Sequence, residues 1–126
     1  MSEPVAFELP WPPGPLWPNR QGHWAKTYKA RKAYKDAVAW ICLGNKVAFK
    51  GAYGVIARIT FHPPDRRKRD MDNMLAAIKS GIDAVATYTG IDDSAWRMNI
   101  RRGEPVKGGR VVIELTPVKD GKESAA

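Results

Sequence analysis

Apolar side chains recur at helical spacing in two segments of the chain. Residues 25–43 form the first segment, whose apolar face is made of Ala30, Tyr34, Ala37, Val38 and Ile41. Gly44 follows this segment and is typical of a helix end. Residues 73–85 form the second segment, whose apolar stripe is made of Met71, Leu75, Ile78, Ile82 and Val85. Asp72 is the predicted N-cap of this second helix.

Four further segments have the composition or the spacing of strands. Residues 6–9 predict a short first strand, and residues 53–61 are rich in β-branched and aromatic side chains. In residues 96–100 apolar and polar side chains alternate, which is typical of a half-buried strand. A turn at residues 107–109 predicts a hairpin that leads into the last strand, residues 110–118.

These elements follow each other in the order β-α-β-α-β-β. That order predicts an α+β fold, a single domain with a mixed β-sheet and two main helices. A length of 126 residues also favours one domain. We assign the domain to residues 1–118 and expect residues 119–126 to form a disordered tail.

The charge balance of the chain indicates a polyanionic partner. Lysine and arginine number 21 against 13 acidic residues, which gives a formal charge of +8 and favours nucleic acid. No apolar run is long enough to span a bilayer and no signal peptide is visible, so we expect a cytoplasmic protein. The one cysteine, Cys42, has no internal disulfide partner and is expected to be a buried core residue.

Acidic side chains directly follow a run of basic ones, and this pattern suggests a catalytic site. The run comprises Arg66, Arg67, Lys68 and Arg69, and it leads into Asp70 and Asp72. A second acidic pair, Asp92-Asp93, follows the second helix. Mg²⁺ prefers carboxylate, phosphate and water oxygens, and the basic side chains suit a phosphate backbone. The chain therefore predicts a metal-dependent nuclease, although Asp-x-Asp alone is more often a helix cap with a surface acid.

The geometry of residues 70–72 and the position of Lys79 leave two interpretations open. An extended backbone would point Asp70 and Asp72 the same way, so that both could share one cation. A second helical stripe then places Lys79 over Ala76, where its ammonium would approach the two acids and stabilise charge on a phosphate. Alternatively, Lys79 forms an ordinary surface pair with Asp83, four residues later.

Isolated aromatic and histidine side chains carry weaker signals. Trp11 and Trp17 lie in a proline-rich loop, where they either stack on splayed bases or cover the core, and the second role is commoner for a tryptophan. His23 and His62 have no metal-ligand spacing to each other and are expected to be ordinary surface or strand-end residues.

Taken together, the motifs resemble those of RusA-type Holliday junction resolvases, a family of crossover junction endodeoxyribonucleases. The similarity extends over nearly the whole chain in order. Its main motif is Pro64-Asp65-Arg66-Arg67-Lys68-Arg69-Asp70-Met71-Asp72-Asn73. The further motifs are Leu9-Pro10-Trp11-Pro12-Pro13, Gly90-Ile91-Asp92-Asp93 and Lys107-Gly108-Gly109-Arg110.

The resemblance implies a homodimer that binds four-way junction DNA and cuts two opposed strands with Mg²⁺ or Mn²⁺. It implies Asp70, Asp72 and Asp93 as catalytic metal ligands and leaves Asp92 open. Family members often carry a catalytic lysine four residues after the second aspartate, where this chain has Ala76. Lys79, three residues later, is identified as the counterpart of this lysine, displaced by an inserted turn or relocated along the helix. The basic run at residues 66–69 is expected to contact DNA.

Two other classes of protein fit parts of the pattern. A non-catalytic basic nucleic-acid-binding protein would use its acids only to balance the basic loop, and metal-dependent cleavage distinguishes it from a nuclease. A glycosyltransferase also uses Asp-x-Asp with a nucleotide-sugar, but its usual nucleotide-binding domain is larger than this chain.

Overall fold

A computed structural model describes residues 4–18, 24–47, 49 and 51–118. Its main elements in chain order are β1 (Val5–Pro10), α1 (Trp24–Gly44), β2 (Gly54–His62), α2 (Met71–Ala77), α3 (Lys79–Thr89), β3 (Trp96–Arg102) and β4 (Arg110–Val118). Short 3₁₀ turns lie at Gly14–Leu16 and Asp93–Ala95. The predicted α+β fold with a mixed sheet is confirmed, and the predicted tail lies outside the described residues. Within the described ranges, no helix is both long and apolar enough to cross a membrane.

The four strands form one sheet in the order β1-β4-β2-β3. β4 pairs antiparallel with both β1 and β2, whereas β3 pairs parallel with β2 at the sheet edge. The predicted hairpin between β3 and β4 is therefore wrong, because β2 lies between these two strands. The turn itself exists, and Gly108 and Gly109 both adopt positive φ there. Alternation along a strand shows which face is buried, but it does not show which strand lies alongside.

One face of the sheet carries the core. Ala57, Ile59 and Phe61 on β2 are fully buried, and so are Ile113 and Leu115 on β4. The intervening positions are more accessible, and there Arg58 pairs with Glu114 at 3.0 Å. The period-two alternation therefore matches a sheet with the helices on one face only. Cys42 on α1 is fully buried, as predicted, and this burial raises the pKa of its thiol to about 11.

The second predicted helix differs from the observed one at its start and in its middle. It begins at Met71 rather than Asn73, with Asp70 rather than Asp72 at the N-cap position. It is also interrupted at Ile78, whose φ of −100° and ψ of 9° separate α2 from α3. Ile78 itself is fully buried, and so are Met74 before the break and Ile82 after it. Burial of apolar side chains thus continues through an interruption that sequence periodicity does not reveal.

At Gly81, α3 packs closely against α1. A Cβ at this position would lie 2.7 Å from Tyr34 Cε2 and 3.1 Å from Val38 Cγ2. The Tyr34 ring cannot move aside easily, because it is buried and its hydroxyl donates a hydrogen bond of 2.7 Å to the Pro10 carbonyl. Burial also raises the pKa of Tyr34. The helices that support the site therefore meet through a glycine.

We expect Gly81→Ala to destabilise the protein even though alanine is the better helix former. Overpacking costs about 1–3 kcal/mol, and alanine recovers only about 1 kcal/mol of helix propensity. The matched control is Gly44→Ala at the end of α1, where an added Cβ meets nothing within 4 Å. Urea unfolding of both variants measures the effect. A midpoint for Gly81→Ala at or above that of Gly44→Ala would contradict tight packing at this contact.

Candidate active site and basic loop

Lys79 joins two acidic side chains at the start of α3. Its Nζ lies 2.7 Å from Asp83 Oδ1 and 2.6 Å from Asp93 Oδ2. Asp83 is one helical turn further along α3, and Asp93 begins the 3₁₀ turn that follows the helix. The hydrogen bond to Asp83, and then the one to Asp93, raises the pKa of Lys79. The ammonium is therefore charged at neutral pH and is directed at Asp83 and Asp93, not at Asp70 and Asp72.

A surface groove of about 560 Å³ is lined by the polar stripe of α2 and α3. Asp72, Ala76, Lys79 and Asp83 all line it, which confirms that these four positions share one face. Arg31 of α1 also lines the groove. Sequence analysis missed Arg31, because its position depends on how α1 packs and no local motif marks it. Ser80 lines the groove as well, and its buried Oγ has no hydrogen-bond partner within the described residues.

Asp70 and Asp72 do not share the extended geometry that was predicted for them. Asp70 is extended, with φ −78° and ψ 141°, but Asp72 already lies in the first turn of α2. The two side chains therefore point in different directions, because the backbone turns by about 100° per helical residue. Asp72 Oδ1 accepts a hydrogen bond of 3.0 Å from the Asn73 amide. The Asp70 side chain makes no capping hydrogen bond, and Asp70 does not line the groove.

The acids at this site have the right chemistry for a hard cation but not a closed ligand set. Carboxylate oxygens are the ligands that Mg²⁺ and Mn²⁺ take in proteins. Among the described residues, no three His, Cys, Asp or Glu side chains converge closely enough to hold a metal ion. Asp72 and Asp83 nonetheless border one groove, and Asp93 reaches the lysine between them. The donor type therefore suits such an ion, whereas Lys79 Nζ already lies between the carboxylates of Asp83 and Asp93.

The two members of the second acidic pair have different roles. Asp92 caps the 3₁₀ turn, where its Oδ2 accepts a hydrogen bond of 3.1 Å from the Ser94 amide. The hydrogen bonds from Ser94 lower the pKa of Asp92. Asp93 instead faces Lys79 and is less exposed than Asp92. The structure thus separates a turn-forming acid from one that pairs with Lys79.

The side chain of Arg69 points into the protein and holds the basic loop in place. Its side chain is only 12% exposed, and its guanidinium donates to Asp65 Oδ1 at 2.9 Å. It also lies over the Trp11 ring, 5.6 Å from the centroid. The Arg69 side chain and the Arg67 amide together hold the pKa of Asp65 at about 2, so this carboxylate stays ionised at neutral pH. Arg102 donates to the Arg69 carbonyl and further fixes the loop.

The other three cations of the run lie on the surface. The side chains of Arg66 and Arg67 are 83% and 81% exposed, and Lys68 is exposed as well. Arg66 forms a surface pair with Glu104 at 3.5 Å. Of the four residues predicted to contact DNA, three are therefore accessible, whereas Arg69 is mostly used inside the protein. Sequence alone does not distinguish them, because all four belong to one uninterrupted run.

Trp11 and Trp17 pack against the core, as the commoner of the two predicted roles requires. Their ring centroids are 5.8 Å apart, and Trp11 meets Phe61 edge-on at 6.4 Å. Trp17 Nε1 donates to the Pro12 carbonyl at 3.1 Å. His62, at the end of β2, shares a hydrogen bond with the Glu104 carbonyl, whereas His23 lies outside the described residues.

Comparison with known proteins identifies the family of the chain. It is 36% identical over 118 residues to the crossover junction endodeoxyribonuclease rusA of Enterobacteria phage 82, covering 91% of this chain and 94% of that protein. It is 35% identical over 121 residues to the crossover junction endodeoxyribonuclease RusA of Escherichia coli strain K12, covering 94% and 97%.

Two other comparisons add no support. No family model matches the chain. A solved FtsZ dimer from M. jannaschii aligns with 66% of this chain and 22% of that chain at a TM-score of 0.41 and 12% identity, which is too low to support an argument. The sequence matches, which cover more than nine tenths of each chain, are sufficient: the chain belongs to the RusA family of crossover junction endodeoxyribonucleases.

Proposed function

We propose that this protein is a metal-dependent endonuclease that resolves four-way DNA junctions by paired, symmetric nicks. The observation that carries the proposal is the Lys79 cluster, in which one ammonium meets Asp83 and Asp93 in a groove that Asp72 also lines. A cation surrounded by carboxylates, next to a basic loop, suits the handling of a phosphodiester. The relatives named above are crossover junction endodeoxyribonucleases, which supports the same reaction and substrate.

Lys79 and the candidate acids divide the chemistry among them. Asp70, Asp72 and Asp93 would hold Mg²⁺ or Mn²⁺, which supplies Lewis acidity and lowers the pKa of water. Lys79 would donate to an oxygen of the scissile phosphate and offset the charge that develops there. Asp83 would hold the lysine in place through the hydrogen bond within α3. Hydrolysis that expels the 3′ oxygen leaves 5′-phosphate ends.

The basic surface supplies the affinity for DNA. Arg66, Arg67 and Lys68 are exposed, and each phosphate that they neutralise releases a counterion. Junction binding should therefore weaken as salt is raised. Arg69 would contribute indirectly, because its guanidinium holds the loop against Asp65 and Trp11.

The same proposal includes a homodimer. Resolution of a four-way junction requires two cuts at symmetric points, and one chain supplies one Lys79 cluster. A two-fold dimer would match a two-fold substrate and bring two sites to it. So small a domain leaves apolar side chains such as Tyr28 and Leu43 exposed, and association would cover such surface.

Incubation with a synthetic four-way junction, with and without Mg²⁺, tests the function directly. We expect paired nicks with 5′-phosphate ends on the junction in the presence of metal, and no cleavage of a linear duplex of the same arm sequence. Binding without cleavage in Mg²⁺ and in Mn²⁺ would instead support the non-catalytic DNA-binding alternative.

Asp72→Asn and Asp93→Asn should each abolish cleavage while junction binding is retained. A neutral amide is a poor ligand for a hard cation, whereas the basic surface is unchanged. Asp70→Asn should behave in the same way. Asp36→Asn on α1 is the matched control, since Asp36 is an exposed acid paired with Lys32. Wild-type cleavage by any of the three variants would remove that aspartate from the proposed site.

Lys79→Ala should reduce the single-turnover cleavage rate by roughly 100-fold or more, because a donor to the developing charge is lost. Its stability should fall by about 0.4–2 kcal/mol, since the substitution removes two ion pairs of a lysine that is more than half exposed. Adding Ala76→Lys in this background should restore part of the rate, because Ala76 lines the same groove. An unchanged rate for Lys79→Ala would show that the lysine only forms ion pairs with Asp83 and Asp93.

Mixing wild-type protein with inactive Asp72→Asn tests the dimer. If two subunits each cut one strand, mixed dimers should nick one strand and leave the junction joined through the other. The fraction of singly nicked junction should peak near an equal mixture, as followed on denaturing and native gels. Light scattering that shows only monomer at micromolar concentration, with and without junction, would contradict this assembly.

A further inference from the structure

A cleft of about 580 Å³ lies between the proline-rich loop and the basic loop. Trp11 and Trp17 line one side, and Pro64, Arg67 and Lys68 line the other. Its volume falls within the range of about 300–1,000 Å³ that is typical of small-ligand sites. Arg69 also lines it, so the described lining carries three cationic side chains and no carboxylate. The cleft therefore combines aromatic surface with positive charge, which suits a planar group attached to a phosphate.

The aromatic side of the cleft is held rigidly. Trp11 is fixed by the edge of Phe61, by the Arg69 guanidinium and by the backbone of Gly109, where an added Cβ would lie 2.8 Å from Trp11 Cγ. Trp17 leans on Trp11 and is anchored through its indole N–H to the Pro12 carbonyl. Both rings are only partly buried. A ring that is fixed but still accessible loses little conformational entropy when a ligand stacks on it.

We propose that this cleft binds one unstacked nucleobase of branched DNA, with Trp17 as its stacking platform and Arg67 and Lys68 as contacts for the adjoining phosphates. This inference rests on the proposed function and adds a site to it. Base–aromatic stacking tolerates any base because every base has a π-face. A branch point is a favourable source of such a base, since a base that is poorly stacked costs less to extrude.

The position of the cleft connects it to the acidic site. Arg69 lines the cleft and is followed directly in sequence by Asp70, whose Cα is therefore about 3.8 Å away. A base held against Trp17 would keep its strand beside the N-terminal end of α2, where the acidic motif begins. The cleft thus selects for the branch and positions the strand, whereas the groove around Lys79 carries the chemistry.

Affinity for intact and abasic junctions tests this assignment without relying on cleavage. Four-way junctions are prepared with one abasic nucleotide at each position that flanks the branch point, and binding is measured in EDTA. Trp17→Ala should weaken binding of the intact junction about 5- to 150-fold. At the position whose base enters the cleft, it should change binding of the abasic junction by less than about twofold. Trp40→Ala, which removes a 73% exposed tryptophan from α1, is the matched control and should change neither.

Two further measurements keep the test independent of a folding defect in Trp17→Ala. Trp17→Phe retains an aromatic platform and should bind the intact junction nearly as well as wild type. Unmodified protein should form a photo-crosslink at Trp17 with a junction that carries 5-iodouracil at the same position. An equal loss of affinity for intact and abasic junctions, or crosslinks only outside the cleft, would overturn the base-binding site alone. Wild-type protein that does not distinguish a junction from a linear duplex would overturn the proposed function itself.

Discussion

The contact between α1 and α3 at Gly81 is the constraint on which the site depends. Gly81 faces Tyr34 and Val38, so α3 has a fixed rotation relative to the core. Lys79 and Asp83 lie two residues before and after Gly81, and a helix turns by about 100° per residue. Both side chains are therefore carried to the opposite side, where they meet each other and Asp93. Packing of α3 against α1 in the interior thus determines which side chains of α3 face the groove.

The basic loop, which carries residues 66–69, is ordered by an ion pair and by a contact with an aromatic ring. Asp65 neutralises Arg69 inside the loop, and Arg69 in turn covers Trp11. The remaining cations are left on the surface, where they are available to phosphates. The exposure of the other cations and the shape of the aromatic cleft therefore have one structural source, because the largely buried side chain of Arg69 orders both.

Periodicity was sufficient for much of the fold. It predicted α1 and β4 within one residue at each end, because these elements have regular patterns bounded by glycine or by turns. It missed the break at Ile78, since buried side chains continue on both sides of it. It also missed the strand order, because β3 joins β2 in parallel through contacts between residues that are distant in sequence.

The sequence by itself determined the family, the fold class and the candidate acids, because each depends on local pattern or on motifs that are contiguous in the chain. Only the tertiary structure decided how those residues are used. In the structure, Lys79 pairs with Asp83 and Asp93, and Asp92 caps a 3₁₀ turn. Arg69 pairs with Asp65 inside the protein. The tertiary structure also brought Arg31 to the groove and two tryptophans beside the cationic loop. These choices follow from how helices and loops pack across long sequence separations, which spacing along one element cannot encode.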